Sequence, residues 1–180
     1  MAEGPVIQAA CERALLHHIN IDRICLQVEE FRRTDQTTPV VLMGYLNPIE
    51  VKGYGVFAAQ VQGAGVDGVL TVDLPPEEAN EYCAALTHAG LDTIFLVAPT
   101  STPERIQKIS ARSRGFIYYV ALKGVTGAGH LEIESVASKL KDIRRHSSLP
   151  IAVGFGIKDA STAAAVAQIT IPAGRRGRSD

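Results

Sequence analysis

Short apolar runs and longer amphipathic stretches alternate along most of the chain. The apolar runs are bounded by turn residues and lack polar alternation, which is typical of strands buried on both faces. The amphipathic stretches repeat apolar residues at helical spacing. We predict strands at residues 39–45, 68–72, 93–97, 115–120 and 150–154. We predict helices at residues 7–18, 21–31, 54–62, 76–89, 133–146 and 159–169, and another that opens at the capping segment 101–104.

Strands that alternate with helices of about ten to fifteen residues indicate parallel βα units. Two architectures fit this alternation, a doubly wound open sheet and a (β/α)8 barrel. The order of elements does not separate them, because both place a helix after each parallel strand. The residues at the strand ends therefore have to decide between the two.

Residues 172–180 depart from the βα pattern, because they are polar and basic and show no periodicity. A continued pattern predicts another buried strand near this point. Two interpretations stay open, a flexible terminal tail or a change of reading frame that replaced the expected sequence. We therefore divide the chain into a βα domain at residues 1–171 and a tail at residues 172–180.

The charge balance and the cysteines narrow the functional class. The chain has 18 Lys and Arg residues against 19 Asp and Glu residues, a formal charge of −1, which argues against a nucleic-acid-binding module. No apolar run approaches the roughly 20 residues of a membrane-spanning helix, and the first residues show no secretory signal. Cys11, Cys25 and Cys83 lack metal-ligand spacing, so we expect buried, reduced thiols in a cytoplasmic protein.

Two glycine-rich segments follow consecutive predicted strands. GVTGAG begins at Gly124 and GFGI begins at Gly154. Glycines there let backbone N–H groups approach a phosphate, and barrels often place phosphate sites after late strands. In the alternative interpretation, the glycines only turn the chain. Asp73, directly after the strand at 68–72, is a candidate catalytic or positioning acid.

These residues resemble the alpha subunit of tryptophan synthase, in family order over residues 2–169. The matching segments are AEGPVIQ from Ala2, PVVLMGYLNPI from Pro39, GVDGVLTVDLPPEE from Gly65, APTS from Ala98, GFIYYVALKGVTGA from Gly115 and LPIAVGFGI from Leu149. The resemblance implies a (β/α)8 barrel that cleaves indole-3-glycerol phosphate to indole and glyceraldehyde 3-phosphate. It also implies a partner in tryptophan biosynthesis, the pyridoxal-phosphate-dependent beta subunit, which receives the indole within an alpha2beta2 heterotetramer.

The resemblance further implies the residues of a retro-aldol site. Glu3 stands where the family has a catalytic acid, and it would accept the indole N–H proton. Gly127 and Gly156 match backbone phosphate sites, and Thr126 matches a loop threonine that closes over the site. Asp73 matches an acid linked to loop contacts with the beta subunit. No metal and no cofactor of this chain is implied, because pyridoxal phosphate belongs to the beta subunit.

A pocket for the indole ring is implied in the same way. Tyr118 and Phe155 match its aromatic residues, and Met43, Val72 and Leu96 match its apolar neighbours. Apolar and aromatic side chains near strand ends suit a flat, largely apolar ring.

The sequence departs from the family pattern at both ends. The family has two strands before the AEGP motif, and the second carries a catalytic glutamate that has no counterpart here. After residue 169 the family continues into a strand ending in Gly-Ser and an eighth βα unit. Because a (β/α)8 chain needs about 250 residues, we expect an incomplete barrel with about five parallel strands. We expect a lyase by descent that is inactive alone; the alternatives are a noncatalytic remnant that binds the beta subunit and another phosphate-binding barrel, such as an indole-glycerol-phosphate synthase.

Overall fold

Helices and parallel strands alternate through the part of the chain that the computed structural model describes, which is residues 4–121, 129–154 and 159–170. The strands are β1 (Val41–Gly44), β2 (Gly68–Thr71), β3 (Asp92–Ile94), β4 (Leu96–Val97), β5 (Ile117–Val120) and β6 (Ile151–Gly154). The helices are α1 (Gly4–Leu16), α2 (Ile21–Arg32), α3 (Leu46–Lys52), α4 (Tyr54–Gly63), α5 (Asn80–His88), α6 (Pro103–Arg112), α7 (Gly129–His146) and α8 (Ala160–Thr170). Each predicted strand region contains at least one strand, so the predicted βα order is confirmed.

The strands form two parallel three-stranded sheets, in the orders β1–β2–β3 and β4–β5–β6. The single strand predicted at 93–97 is wrong in one respect, because Phe95 separates β3 from β4. Residues of β3 pair with β2, whereas residues of β4 pair with β5. The Phe95 carbonyl accepts a hydrogen bond from the Tyr118 N–H at 3.1 Å, which joins the two sheets at this point. Such a stagger between neighbouring strands is expected of a barrel wall.

One face of the two sheets packs against the helices. The buried residues of this face are Val69, Val97, Ile117 and Tyr119 on the strands, and Phe95 between β3 and β4. Helix residues of the same cluster include Phe57, Tyr82, Leu86, Ile106, Leu140 and Ile143. Full burial of one such side chain contributes about 1.5–3 kcal/mol, so this layer is the main hydrophobic core. Because side chains alternate across a strand, the intervening residues point to the opposite face, here called the inner face.

A half-buried arginine aligns the beginnings of β1 and β2. Arg32 donates to the carbonyl of Gly65 at 2.8 Å, to that of Thr38 at 2.7 Å and to Asp67 Oδ2 at 2.7 Å. The same Asp67 oxygen accepts the Val40 N–H at 2.7 Å. The guanidinium therefore ties the loop before β1 to the loop before β2, and it sets the register of the two strands that carry much of the candidate site.

Two local predictions differ from the structure. The helix predicted from Pro76 begins only at Asn80, because residues 76–78 form a turn in which the Glu78 N–H donates to the Pro75 carbonyl at 3.1 Å. Helix α3, directly after β1, was not predicted, since Asn47-Pro48 looks like a loop signal. Proline is tolerated within a first helical turn, where its missing N–H costs nothing.

The capping predicted for the segment 101–104 is confirmed, and Asp159 caps another helix that was predicted without a capping residue. Thr102 Oγ1 accepts the Arg105 N–H at 3.3 Å at the start of α6. Asp159 Oδ1 accepts the Thr162 N–H at 2.7 Å at the start of α8, and this bond is the main reason why the pKa of Asp159 falls to about 2. Side-chain acceptors of this kind satisfy N–H groups that have no partner within the helix.

The cysteines are unpaired, and their burial differs from the expectation. Cys25 is buried and Cys83 is half-buried, but Cys11 is exposed on α1, so the prediction of three buried thiols is wrong for Cys11. Of the helices in the described ranges, none is long and apolar enough to span a membrane.

Candidate functional site

The carboxyl ends of β1 and β2 are joined through Asp73. The Val72 N–H donates to the Gly44 carbonyl at 2.9 Å, which continues the pairing one residue beyond the strands. Asp73 Oδ1 then accepts the Leu46 N–H at 2.7 Å, at the first residue of α3. The carboxylate is exposed, and it closes the turn after β2 onto the start of the next helix. Asp73 therefore lies at the strand ends, where the sequence predicted it.

A cavity of about 160 Å³ opens beside this turn. Residues 71–76 form one wall, and Phe95, Leu96 and Arg105 form the other. An engineered cavity of roughly 150 Å³ accepts benzene, so this volume suits one aromatic ring. The structure thus brings together Val72 and Leu96, two of the predicted indole-pocket residues, beside the Asp73 carboxylate.

Tyr118 occupies the inner face of the second sheet. It pairs with Leu96 on one side and with Ala152 on the other. Its hydroxyl lies so close to Gly154 that a Cβ on that residue would sit 2.5 Å from the oxygen. Gly154, which was predicted to begin a phosphate loop, makes room for the tyrosine, and the phosphate contact stays a prediction.

Met43 lies on the same inner face, on β1, and β2 separates it from β3. It pairs with Leu70 across β1 and β2, and Leu70 pairs with Ile94 across β2 and β3. Met43 is 56% exposed, whereas Leu70 is only 2% exposed. Leu70 is an inner-face residue that sequence reasoning missed. The alternation within β2 could have found it, because Leu70 and Val72 are two residues apart and share a face.

The remaining predicted site residues lie outside the described ranges. They are Glu3, Thr126, Gly127, Phe155 and Gly156. Their roles, like those of the described site residues, stay predictions.

Positive and negative side chains meet at the outer edge of the cavity. Arg105 lies 3.5 Å from Glu77, and Lys108 lies 3.6 Å from the other oxygen of Glu77. A hydrogen bond with its own backbone, together with these two cations, lowers the pKa of Glu77. Because all three side chains are well exposed, each ion pair adds little to stability. No group of three or more metal-ligating side chains was found among the residues with described positions.

The parallel βα order, with polar and aromatic residues at the carboxyl ends of the strands, places the chain in the class of parallel (β/α) proteins. The chain belongs to the tryptophan synthase alpha chain family, since the family model described as Tryptophan synthase alpha chain matches residues 1–173. This confirms the family resemblance and the fold class.

Curated relatives are similar over nearly the whole of this chain. The tryptophan synthase alpha chain of Chromobacterium violaceum is 60% identical over 167 residues, which cover 93% of this chain and 64% of that relative. That of Methylococcus capsulatus is 58% identical over 166 residues, which cover 92% of this chain and 62% of the relative. The chain thus spans a little under two thirds of the length of these relatives.

Solved structures agree with the fold. The alpha subunit from Legionella pneumophila str. Paris has a TM-score of 0.86 at 46% identity, covering 94% of this chain and 62% of that one. A chain from the tryptophan synthase a2b2 complex of Pyrococcus furiosus has a TM-score of 0.86 at 36% identity, covering 94% of this chain and 68% of that one.

Proposed function

We propose that this chain binds indole-3-glycerol phosphate and carries part of the retro-aldol site that releases indole and glyceraldehyde 3-phosphate. The observation that supports this most is the cavity beside Asp73, which Val72 and Leu96 line at the carboxyl ends of the strands. Its volume suits an aromatic ring, and its position is the one at which barrel enzymes place substrates.

In this proposal, the indole ring lies where the cavity meets the inner face of the strands, at Val72 and Leu96. Met43, Val72, Leu96, Tyr118 and Phe155 surround the ring. Each described member of this set is an inner-face residue or lines the cavity, and Tyr118 pairs directly with Leu96. A flat ring there would remain close to the rim, which is the edge formed by the carboxyl ends of the strands, and polar groups at this edge can reach it.

The chemistry needs protons to move at the indole nitrogen, at C3 and at the glycerol hydroxyl. In this proposal Glu3 accepts the indole N–H proton, and the backbone N–H groups of Gly127 and Gly156 hold the phosphate while Thr126 closes over it. The hydroxyl proton would pass to a second carboxylate, which would also protonate C3; the family has such a glutamate, and it has no counterpart among these residues. A fixed phosphate places the reacting carbons near the carboxylate, which lowers the entropic cost of reaction. The chain uses no cofactor of its own.

The partner we propose is a tryptophan synthase beta subunit, which carries pyridoxal phosphate and would take up the indole in the cytoplasm. The similarity to a chain of the Pyrococcus furiosus a2b2 complex supports this choice. Asp73 is exposed at the rim, where a partner's loop could contact it.

Indole binding tests the proposal directly. The chain contains no tryptophan, so added indole that is excited beyond the absorption band of tyrosine fluoresces without a protein background. Leu96 is half-buried in the free chain and would become buried beneath a bound ring. Because full burial of a leucine side chain contributes about 1.5–3 kcal/mol, Leu96→Ser should weaken indole binding by about tenfold. Leu26→Ser is the matched control, since Leu26 is 62% exposed on α2.

Equal affinities in the two variants would refute the assigned pocket. A chain that binds the beta subunit but neither indole nor indole-3-glycerol phosphate would instead be the noncatalytic remnant.

A further inference from the structure

Behind the end of β2, two buried hydroxyl groups share a hydrogen bond. The oxygens of Thr71 and Tyr82 lie 2.7 Å apart, and the two residues are 3% and 1% exposed. Tyr82 belongs to α5, and its ring packs edge-on against Tyr54 of α4, with ring centroids 5.8 Å apart and an interplanar angle of 85°. The phenol is therefore held in one place by two helices.

Thr71 is the last residue of β2, and the two residues that follow it belong to the candidate site. Val72 lines the cavity and donates its N–H to the Gly44 carbonyl, and Asp73 accepts the Leu46 N–H. The segment 71–73 is thus held from the β1 side by two hydrogen bonds and from the helix side by Tyr82. Thr71 itself also lines the cavity, so the residue that Tyr82 holds from behind is part of the cavity wall.

We propose that Tyr82 is a positioning residue of the indole site, acting through Thr71 to orient Val72 and Asp73. This inference rests on the proposed function. Threonine is branched at Cβ and has few side-chain rotamers, so a fixed Oγ1 also fixes the backbone that carries it. Without the Tyr82 hydroxyl, the strand end keeps its packing but loses the bond that sets its direction.

The test uses the full chain labelled with ¹⁵N and four variants, Tyr82→Phe, Thr71→Val, the double variant and Tyr119→Phe. Tyr119→Phe is the matched control, because Tyr119 is a buried tyrosine of the same core on β5. Three quantities are measured: stability in urea, hydrogen exchange of the Leu46 amide, and the dissociation constant for indole.

We expect Tyr82→Phe to speed exchange of the Leu46 amide and to weaken indole binding by about tenfold each, since one hydrogen bond contributes about that factor. Thr71→Val should do the same. Tyr119→Phe should change neither quantity. The double variant should regain stability, because it leaves no hydroxyl without a partner, yet Leu46 exchange and indole binding should stay impaired.

Recovery of Leu46 protection and indole affinity together with stability in the double variant would overturn the proposal, because the pair would then act through packing alone. Wild-type behaviour of Tyr82→Phe in both measurements would also overturn it. If the unaltered chain does not bind indole, the proposed function fails, and the Leu46 exchange rates alone then decide whether Tyr82 positions the segment.

Discussion

The contact between Gly154 and Tyr118 allows a sharp test of the inner face. In Gly154→Ala, the new Cβ would lie 2.5 Å from the tyrosine oxygen, 2.8 Å from Cζ and 3.0 Å from Cε1. Ordinary van der Waals contact begins near 3.4 Å, so the ring or the end of β6 has to move by about 1 Å. Extra atoms in a packed core cost about 1–3 kcal/mol. Because Gly154 and Tyr118 are only half-buried, the end of the ring can shift, and we expect Gly154→Ala to lower the free energy of unfolding by about 1 kcal/mol.

Urea unfolding followed by circular dichroism measures this loss. Gly44→Ala is the matched control, because Gly44 likewise ends a strand, β1, and a Cβ there would meet no atom within 4 Å. In the Tyr118→Leu background, Gly154→Ala should cost much less, since the atoms that it would meet have gone. Equal losses for Gly44→Ala and Gly154→Ala, or simple additivity with Tyr118→Leu, would refute the reasoning.

Three further predictions concern the hydrogen bonds of Arg32, the release of indole and the stability of α8 in acid. Arg32→Met should lower the free energy of unfolding by about 1.5–3 kcal/mol, as expected for hydrogen bonds to a charged group. The control is Arg33→Met at an exposed neighbour, which should change this free energy by less than about 0.5 kcal/mol. Equal losses of stability in urea would show that the hydrogen bonds of Arg32 do not hold the two strands. A protein of these 180 residues should release no measurable indole from indole-3-glycerol phosphate, with or without a beta subunit. The family's second catalytic carboxylate has no counterpart in it, and one positioned acid–base group contributes about 10²–10⁴-fold to the rate. Turnover that Glu3→Gln abolishes would contradict this prediction. The pKa of Asp159 is lowered from 3.8 to about 2, so its carboxylate stabilises α8 fully above pH 4 and progressively less as the pH falls towards 2. The stability difference between the chain and Asp159→Ala should therefore shrink over this interval, and a constant difference would rule out the cap as its source.

The sequence by itself determined the order of the elements, because strand and helix patterns are local. A buried parallel strand is a short apolar run wherever it lies, and capping residues such as Thr102 and Asp159 act on N–H groups three residues away. The position of Asp73 at a strand end followed from the same pattern. The choice between an open sheet and a barrel did not follow from this local pattern. It came from the resemblance to the tryptophan synthase alpha family.

The tertiary structure decided which of these residues meet. Neither the break at Phe95 nor the shared cavity of Val72 and Leu96 can be read from the chain, because both depend on the stagger between neighbouring strands. The helix predicted from Pro76 starts at Asn80 because residues 76–78 form a turn instead. Tyr82 carried no sequence signal, since its role depends on a hydroxyl of a different element that only packing brings within 2.7 Å. Such contacts join residues that are distant in the chain, so their energies enter only once the sheets and helices have assembled.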